Sequence, residues 1–284
     1  MVHSFMEFCR VNRFPIACLT ALAGLALVAT AAVADDAAPV PMAGHHAVYK
    51  LSLLSAKGTS APASASGVID FDFSGSSCEG YTSNLRQLVE LQPAEGDSKL
   101  NDVRNNTFED PAAKQYTFTT KSTTDSDSAT EVTGKAERGA DGRISVDLKT
   151  PPGHNAYGSE VLFPVEHMRH IIASAEHGDK LLSADVYDGS DTGSKLFHTL
   201  TVIGAPLTAP ADDPSGKAEA LKGMRRWPVV ISYFGGDKDQ PDYVLTSDLY
   251  ENGISRALKL DYGDFVLAGA LDQLTVAAPA TCKK

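Results

Sequence analysis

The sequence predicts an all-β fold, mainly antiparallel, with one prominent helix. Segments in which apolar and polar residues alternate recur along most of the chain, which is typical of half-buried strands. Turn-forming Gly and Asn residues separate several of them. A single segment has the spacing of an amphipathic helix. Open twisted sheets rarely exceed about ten strands without curling or splitting, so the expected set of about 13 strands should curve around an apolar face. A barrel, a spiral and a pair of layers all satisfy this condition.

The N-terminus has the order of a secretory signal peptide, which we assign to residues 1–34. Arg10 and Arg13 precede a long uncharged run, and small residues then lead to a cleavage site between Ala34 and Asp35. Residues 35–43 are predicted to be a short flexible leader with little to pack. Residues 44–284 are predicted to form a single domain.

Charge and hydropathy argue against nucleic-acid binding and against a membrane span. The chain has 25 Lys and Arg against 36 Asp and Glu, a formal net charge of −11. This balance argues against nucleic-acid binding, which relies on clustered positive charge. Beyond the signal peptide no apolar run reaches membrane-spanning length, so we expect no membrane span in the mature chain.

The cysteines indicate a structural disulfide. Two of the four lie in the signal peptide, and its removal leaves Cys78 and Cys282. An even number of cysteines in an exported protein favours a bridge. Two unpaired buried thiols are the alternative.

The strands can be read from period-two alternation, because successive strand residues point to opposite faces. The segment around residues 67–75 places Ile69, Phe71 and Phe73 on one face and Asp70 and Asp72 on the other. Similar alternation predicts strands that carry Tyr116 and Phe118, and Ile144, Val146 and Leu148. The adjacent His45 and His46 are interpreted as a strand start whose side chains point to opposite faces.

Turns and the helix follow from local signals. Asn252-Gly253 and Gly263 lie between strand-like runs and suit tight antiparallel connections. The helix should begin near Pro164 and end at Gly178. Its apolar side is expected to hold Val165, Met168, Ile171, Ile172 and Ala175. The Pro-, Ala- and Gly-rich segment 205–224 is the best candidate for a loop.

No catalytic motif is complete. Asp191 to Gly193 spell the Asp-Thr-Gly of aspartic proteases, which need two carboxylates, but the chain has a single copy in a turn-like context. Asp188 and Asp191 lack the regular oxygen spacing of a calcium loop. The sequence has neither a nucleophile elbow nor a phosphate-binding loop. We therefore predict no catalytic residue, no cofactor and no enzymatic activity.

Two further features have both a structural and a functional interpretation. His167 and His170, with Glu166 beside them and His177 further on, could begin a zinc site, but the ligand set is incomplete. Helix-capping or surface histidines are favoured, and no metal is predicted. Trp227, which follows two arginines, could mark a recognition site, but packing beneath an arginine is favoured.

Five stretches together resemble the EipB family of cell-envelope integrity proteins of Gram-negative alphaproteobacteria. They are SCEGYTSNLRQLVEL, VLFPVEHMRHIIASAEHG, VYDGSDTGSKLFHTLTVIG, RRWPVVISYF and LYENGISRALKLDYGDFVLAGALDQL. The resemblance implies a periplasmic monomer with a long curved antiparallel sheet, a spiral or unclosed barrel, and a helix packed within it. It also implies a disulfide between an early strand and the C-terminus, which matches Cys78 and Cys282, and a fold similar to periplasmic lipoprotein carriers.

Three functional hypotheses follow. The first is a non-enzymatic envelope-maintenance factor that holds an apolar ligand or a partner segment on a concave sheet face. The second is an adaptor that binds an envelope protein through sheet edges or loops. The third is an envelope hydrolase with an unfamiliar site, which a change at His167 or Asp191 would test. No individual ligand-binding residue is predicted.

Overall fold

The computed structural model describes residues 40, 42–58, 61–125, 129–207, 218–236 and 238–278. These ranges contain a long sheet, one α-helix and a short 3-10 turn at Glu219–Leu221. In chain order the elements are β1 (His45–Ala56), β2 (Ser64–Ser76), β3 (Gly80–Gln92), β4 (Lys99–Glu109), β5 (Gln115–Thr124), β6 (Thr130–Arg138), β7 (Ile144–Thr150), β8 (Gly153–Tyr157), α1 (Pro164–His177), β9 (Leu181–Val186), β10 (Phe197–Ile203), β11 (Arg226–Gly235), β12 (Tyr243–Tyr250), β13 (Ser255–Asp261) and β14 (Phe265–Val276).

All the strands belong to one antiparallel sheet of 14 strands, in the order β8-β7-β6-β5-β4-β3-β2-β1-β14-β13-β12-β11-β10-β9. Almost every strand pairs with its neighbours in sequence, and the exception is the pairing of β1 with β14 in the middle of the sheet. The edge strands β8 and β9 are consecutive in the chain, with α1 between them, and do not pair. The expectation of an unclosed antiparallel barrel with one helix is therefore confirmed.

Alternation places the predicted apolar residues on the inner face of this sheet. In the ladder between β1 and β2, Tyr49 lies opposite Ile69 and His45 opposite Phe73, and all four are buried. His46 lies on the outer face, where its ring is 3.0 Å from Asp70. The two histidines thus begin β1 and point to opposite faces, as predicted.

Helix α1 has the predicted bounds. Gly178 ends it in the left-handed conformation (φ 92°), and its N–H donates to the carbonyl oxygen of Ala175. Such an ending favours glycine because it has no Cβ. The buried side of the helix packs on the inner face of β10 to β12, in a cluster of Ile171, Ile172, Ala175, Ile203, Trp227, Val229, Ile231 and Leu249.

The segment before α1 covers part of the free edge of β9. The N–H of Leu162 donates to the carbonyl oxygen of Asp185 at 2.8 Å, and the N–H of Tyr187 donates to that of Leu162 at 3.0 Å. The edge strand is therefore paired at its C-terminal end. Within the described ranges no helix has the length and apolar character that a membrane span requires.

The ends of two predicted irregular segments are more ordered than expected. Met42 and Val40, in the predicted leader, pack against the cluster around α1, and the N–H of Ala43 donates to the carbonyl oxygen of Asn252 at 2.9 Å. These two residues of the leader thus pack because their apolar side chains reach the core. In the predicted loop 205–224, Leu207 pairs with Arg226, the first residue of β11, and residues 208–217 lie outside the described ranges.

Candidate functional site

The sheet and the N-terminal end of α1 enclose a cavity of about 410 Å³. This volume lies within the usual range for small-molecule sites. The inner faces of β1 to β5 and of β12 and β13 form most of its wall. The residues that line it are Met42, His45, Tyr49, Ile69, Phe71, Phe73, Ser83, Leu85, Gln87, Asn105, Thr107, Tyr116, Pro164, Val165, Met168, Asp188, Ser190, Tyr243, Leu245, Gly253, Ser255, Leu258 and Leu260.

One side of the cavity is apolar. Ile69 and Phe71 come from β2, Leu245 from β12, and Leu258 and Leu260 from β13. Successive strand residues point to opposite faces, and the inward positions of these strands include these large apolar side chains. This wall can hold a hydrocarbon chain.

The other side comes from β3 and β4 and, apart from Leu85, is polar. Ser83 and Gln87 lie on β3, and Asn105 and Thr107 lie on β4. Asn105 donates an amide N–H to the Thr120 hydroxyl at 2.8 Å. Gln87 donates an amide N–H to the Tyr262 hydroxyl at 3.1 Å. Two fixed amides therefore face the same space as the leucines of the opposite wall, and the cavity is amphipathic.

Asp188 provides a carboxyl group in the cavity wall, just after β9. Its Oδ1 accepts the backbone N–H of Ser190 at 2.9 Å, and its backbone oxygen accepts the Tyr116 hydroxyl at 2.9 Å. Burial raises the pKa of this carboxyl, although hydrogen bonds from Ser190 oppose the shift.

His45 provides an imidazole in the cavity wall, at the start of β1. Its Nδ1 lies 2.8 Å from the carbonyl oxygen of Ala43, so this nitrogen carries the proton. Burial lowers the pKa of the ring. His45 is therefore neutral at pH 7.

The N-terminal end of α1, beside the cavity, is bound by a carboxylate from β4. Glu109 is 2% exposed and accepts the backbone N–H groups of Val165 and Glu166, each at 2.8 Å. Burial raises the pKa of Glu109 to about 7, whereas the two N–H donors lower it. Glu166 in turn pairs with Arg138 at 2.7 Å. The position at which a helix would bind an anion is thus already occupied.

The prediction of helix-capping or surface histidines is wrong for His167. This side chain is 4% exposed, and its Nε2 lies 3.3 Å from the Thr199 hydroxyl on β10. The Thr199 hydroxyl donates to the carbonyl oxygen of Ala184, so it accepts the N–H of His167. His170 and His177 are exposed. The described residues contain no group of three potential metal ligands.

The other candidate residues occupy structural positions. Asp191 lies in an exposed turn with a φ of 57° and pairs with Lys195 at 3.3 Å, which is the predicted turn role. Trp227 is 2% exposed, and the guanidinium of Arg225 lies 5.4 Å from the centre of its ring, which confirms packing beneath an arginine.

The predicted disulfide and cleavage site fall largely outside the described residues. Cys78 lies in the turn between β2 and β3, but Cys282 is not among the described residues. Ala34 and Asp35 lie outside them as well. Both the bridge and the signal peptide remain predictions.

The outer face of β9 and β10 carries a Ser-His-Asp arrangement that was not predicted from the sequence. The Ser183 hydroxyl lies 3.2 Å from Nε2 of His198, whose Nδ1 lies 2.9 Å from Asp185. Asp185 and His198 are direct cross-strand partners, so the ladder register brings them together. In the sequence, only the two-residue spacing of Ser183 and Asp185 on one strand, with His198 on the next strand, could have indicated the arrangement.

This arrangement is open to solvent and has a competing hydrogen-bond acceptor. The side chain of His198 is 58% exposed. The Ser183 hydroxyl also lies 3.4 Å from the carbonyl oxygen of Thr199, which competes for its proton. Two other His-Asp pairs, His46 with Asp70 and His154 with Asp147, occur on the exposed surface. Such pairing is therefore a recurrent feature of this surface.

An unclosed antiparallel sheet of 14 strands, with one helix between its edge strands and an amphipathic cavity on its inner face, defines the class of β-barrel-like proteins. The chain belongs to the EipB-like family, whose family model matches residues 36–278. It is 34% identical over 250 residues to the cell envelope integrity protein EipB of Brucella abortus (strain 2308), covering 87% of this chain and 88% of that protein. A crystal structure of a β-barrel-like protein from Brucella abortus, classified in a domain family of unknown function, is similar with a TM-score of 0.79. It is 32% identical and covers 84% of this chain and 100% of that one.

Proposed function

We propose that this protein maintains cell-envelope integrity in the periplasm as a non-enzymatic monomer that holds an apolar ligand or partner segment in its cavity. The name of the Brucella relative supports the envelope role, and the predicted signal peptide supports export. The observation that carries the ligand-holding role is the cavity of about 410 Å³ with one apolar wall.

Native mass spectrometry after mild purification tests this role. We expect a monomer with extra mass, and solvent extraction should recover the bound lipid or peptide. Leu85→Trp, on the inner face of β3, should reduce the extra mass by filling the cavity. Leu88→Trp is the matched control, because its side chain lies on the opposite face of the same strand. An unliganded wild-type protein, or loss of ligand in both variants, would refute cavity binding.

The adaptor hypothesis remains a second candidate because of an exposed apolar surface. Leu181 is 63% exposed, Val202 45% and Leu200 38%, and all three lie on the outer face of β9 and β10. A photo-crosslinking residue at position 181 should capture one defined envelope protein if this surface binds a partner. The same residue in place of Leu54, which is 52% exposed on β1, is the control.

The proposal assigns no catalytic role to Ser183. Ser183→Ala should therefore leave the hydrolysis of p-nitrophenyl esters at the rate of the wild type, and both should match buffer. Stoichiometric active-site titration with a fluorophosphonate probe provides a second measurement. Wild-type turnover above buffer that disappears in Ser183→Ala would show that the protein is a hydrolase.

A further inference from the structure

We infer that the cavity selects amphiphiles whose buried polar end is an uncharged hydrogen-bond donor, such as a hydroxyl or a primary amide, and excludes those whose buried end is an anion. This inference rests on the proposed ligand-holding function and adds the chemical class of the ligand.

The described part of the cavity wall offers an anion no positive charge. Neither Lys nor Arg is among its lining residues. Its imidazole, His45, is neutral because burial lowers its pKa and the carbonyl oxygen of Ala43 holds its Nδ1 proton. An anion that leaves water for such a site loses its hydration without gaining a counter-charge, which is strongly unfavourable.

The N-terminal end of α1 could bind an anion in place of a positive side chain, but Glu109 already occupies it. Pro164 and Val165 bring the first turn of α1 to the cavity. Its N–H groups and dipole favour negative charge, and in many proteins such an end binds phosphate or carboxylate ligands. Here the backbone N–H groups of Val165 and Glu166 already donate to Glu109. A ligand anion would have to displace this carboxylate or lie beside it.

The polar side of the cavity instead presents hydrogen-bond acceptors. Gln87 and Asn105 each direct one amide N–H to a neighbouring hydroxyl, which leaves the amide oxygen and the second N–H of each for a ligand. Asp188 adds carboxyl oxygens to the same wall. A hydroxyl or amide end can donate to these oxygens while its hydrocarbon chain lies against Leu258 and Leu260.

Displacement of the uncharged fluorescent probe N-phenyl-1-naphthylamine by ligands with equal chains tests the inference. We expect 1-decanol and decanamide to compete at pH 7.5 with inhibition constants at least about tenfold lower than that of decanoate, because decanoate loses its hydration in the cavity without gaining a counter-charge. Asp188→Asn should narrow the gap between the inhibition constants of decanol and decanoate by about threefold or more. The amide keeps the size of the carboxyl and removes its charge. Asp97→Asn, at an exposed position, should leave the gap unchanged.

The outcomes separate this inference from the proposed function. Equal competition by the three ligands, or a gap that Asp188→Asn leaves unchanged, would overturn the selectivity while cavity binding stands. If neither the probe nor any of the three ligands binds, the proposed function is refuted and the selectivity with it.

Discussion

His167 is neutral in the folded protein because burial lowers its pKa from 6.5 to about 4. The unfolded chain therefore binds this proton more readily than the folded one, so the contribution of His167 to stability is lost as pH falls from 6.5 towards 4. The difference corresponds to about 3 kcal/mol. Glu109 acts in the opposite direction, because its raised pKa of about 7 destabilises the fold as pH rises from 4.5 through 7.

His167→Gln should remove the first of these two effects. Relative to the wild type, the variant should gain about 3 kcal/mol in free energy of unfolding when pH is lowered from 7.5 to 4, because it has no ring to protonate. Urea unfolding at both pH values measures this difference. His177→Gln, exposed on the same helix, should follow the wild type at both. Parallel behaviour of His167→Gln and the wild type would contradict the assigned burial effect.

The position of His167 shows what a sequence cannot reveal about a single residue. The helical spacing correctly predicted the buried residues Ile171 and Ile172. The partner that satisfies the His167 ring is Thr199, which lies 32 positions further along the chain. A buried histidine becomes interpretable only when that distant contact is known.

Helix α1 depends on Glu109 because a buried helix end leaves N–H groups that need acceptors. Glu109→Ala should lower the free energy of unfolding by about 3 kcal/mol, because two buried donors lose their partner. Urea unfolding monitored by the fluorescence of Trp227, which packs beside α1, measures the loss. Glu90→Ala, exposed on β3, is the control. Equal midpoints for the two variants would show that water replaces the carboxylate.

Strands differ in how well their sequences predict them. In β2, alternation is visible because the inward Ile69, Phe71 and Phe73 face apolar neighbours. In β4, inward positions such as Asn105 and Thr107 face the polar side of the cavity, so apolar alternation is weak. Strand β4 was therefore not predicted from the sequence. Its polar inward side chains also make it part of the candidate site.

At the scale of the whole molecule, the predicted bridge between Cys78 and Cys282 would tie the turn after β2 to the chain beyond β14. Cross-linking a loop of about 200 residues is worth about 5 kcal/mol in the chain-entropy model. Cys282→Ser should therefore lower the thermal midpoint and expose the C-terminal residues to protease. Thermal unfolding with and without reductant measures this. A wild-type midpoint that does not respond to reductant would contradict a structural bridge.

The cavity is a property of the whole molecule, because its wall combines residues from Met42 to Leu260. Curvature of the sheet could be predicted from the number of strands. The size of the enclosed space could not, since it depends on where the two edges of the sheet stop and on how α1 sits between them. The position of Asp188 in the cavity wall could not be predicted for the same reason.

The pairing of β1 with β14 has a consequence for biogenesis. Synthesis from the N-terminus delivers β1 early and β14 last, so one side of β1 has no partner until β14 is made. For that period a bare edge of 12 residues can recruit strands from other molecules. The pairing of β14 with β1 therefore protects the newly synthesised protein from aggregation.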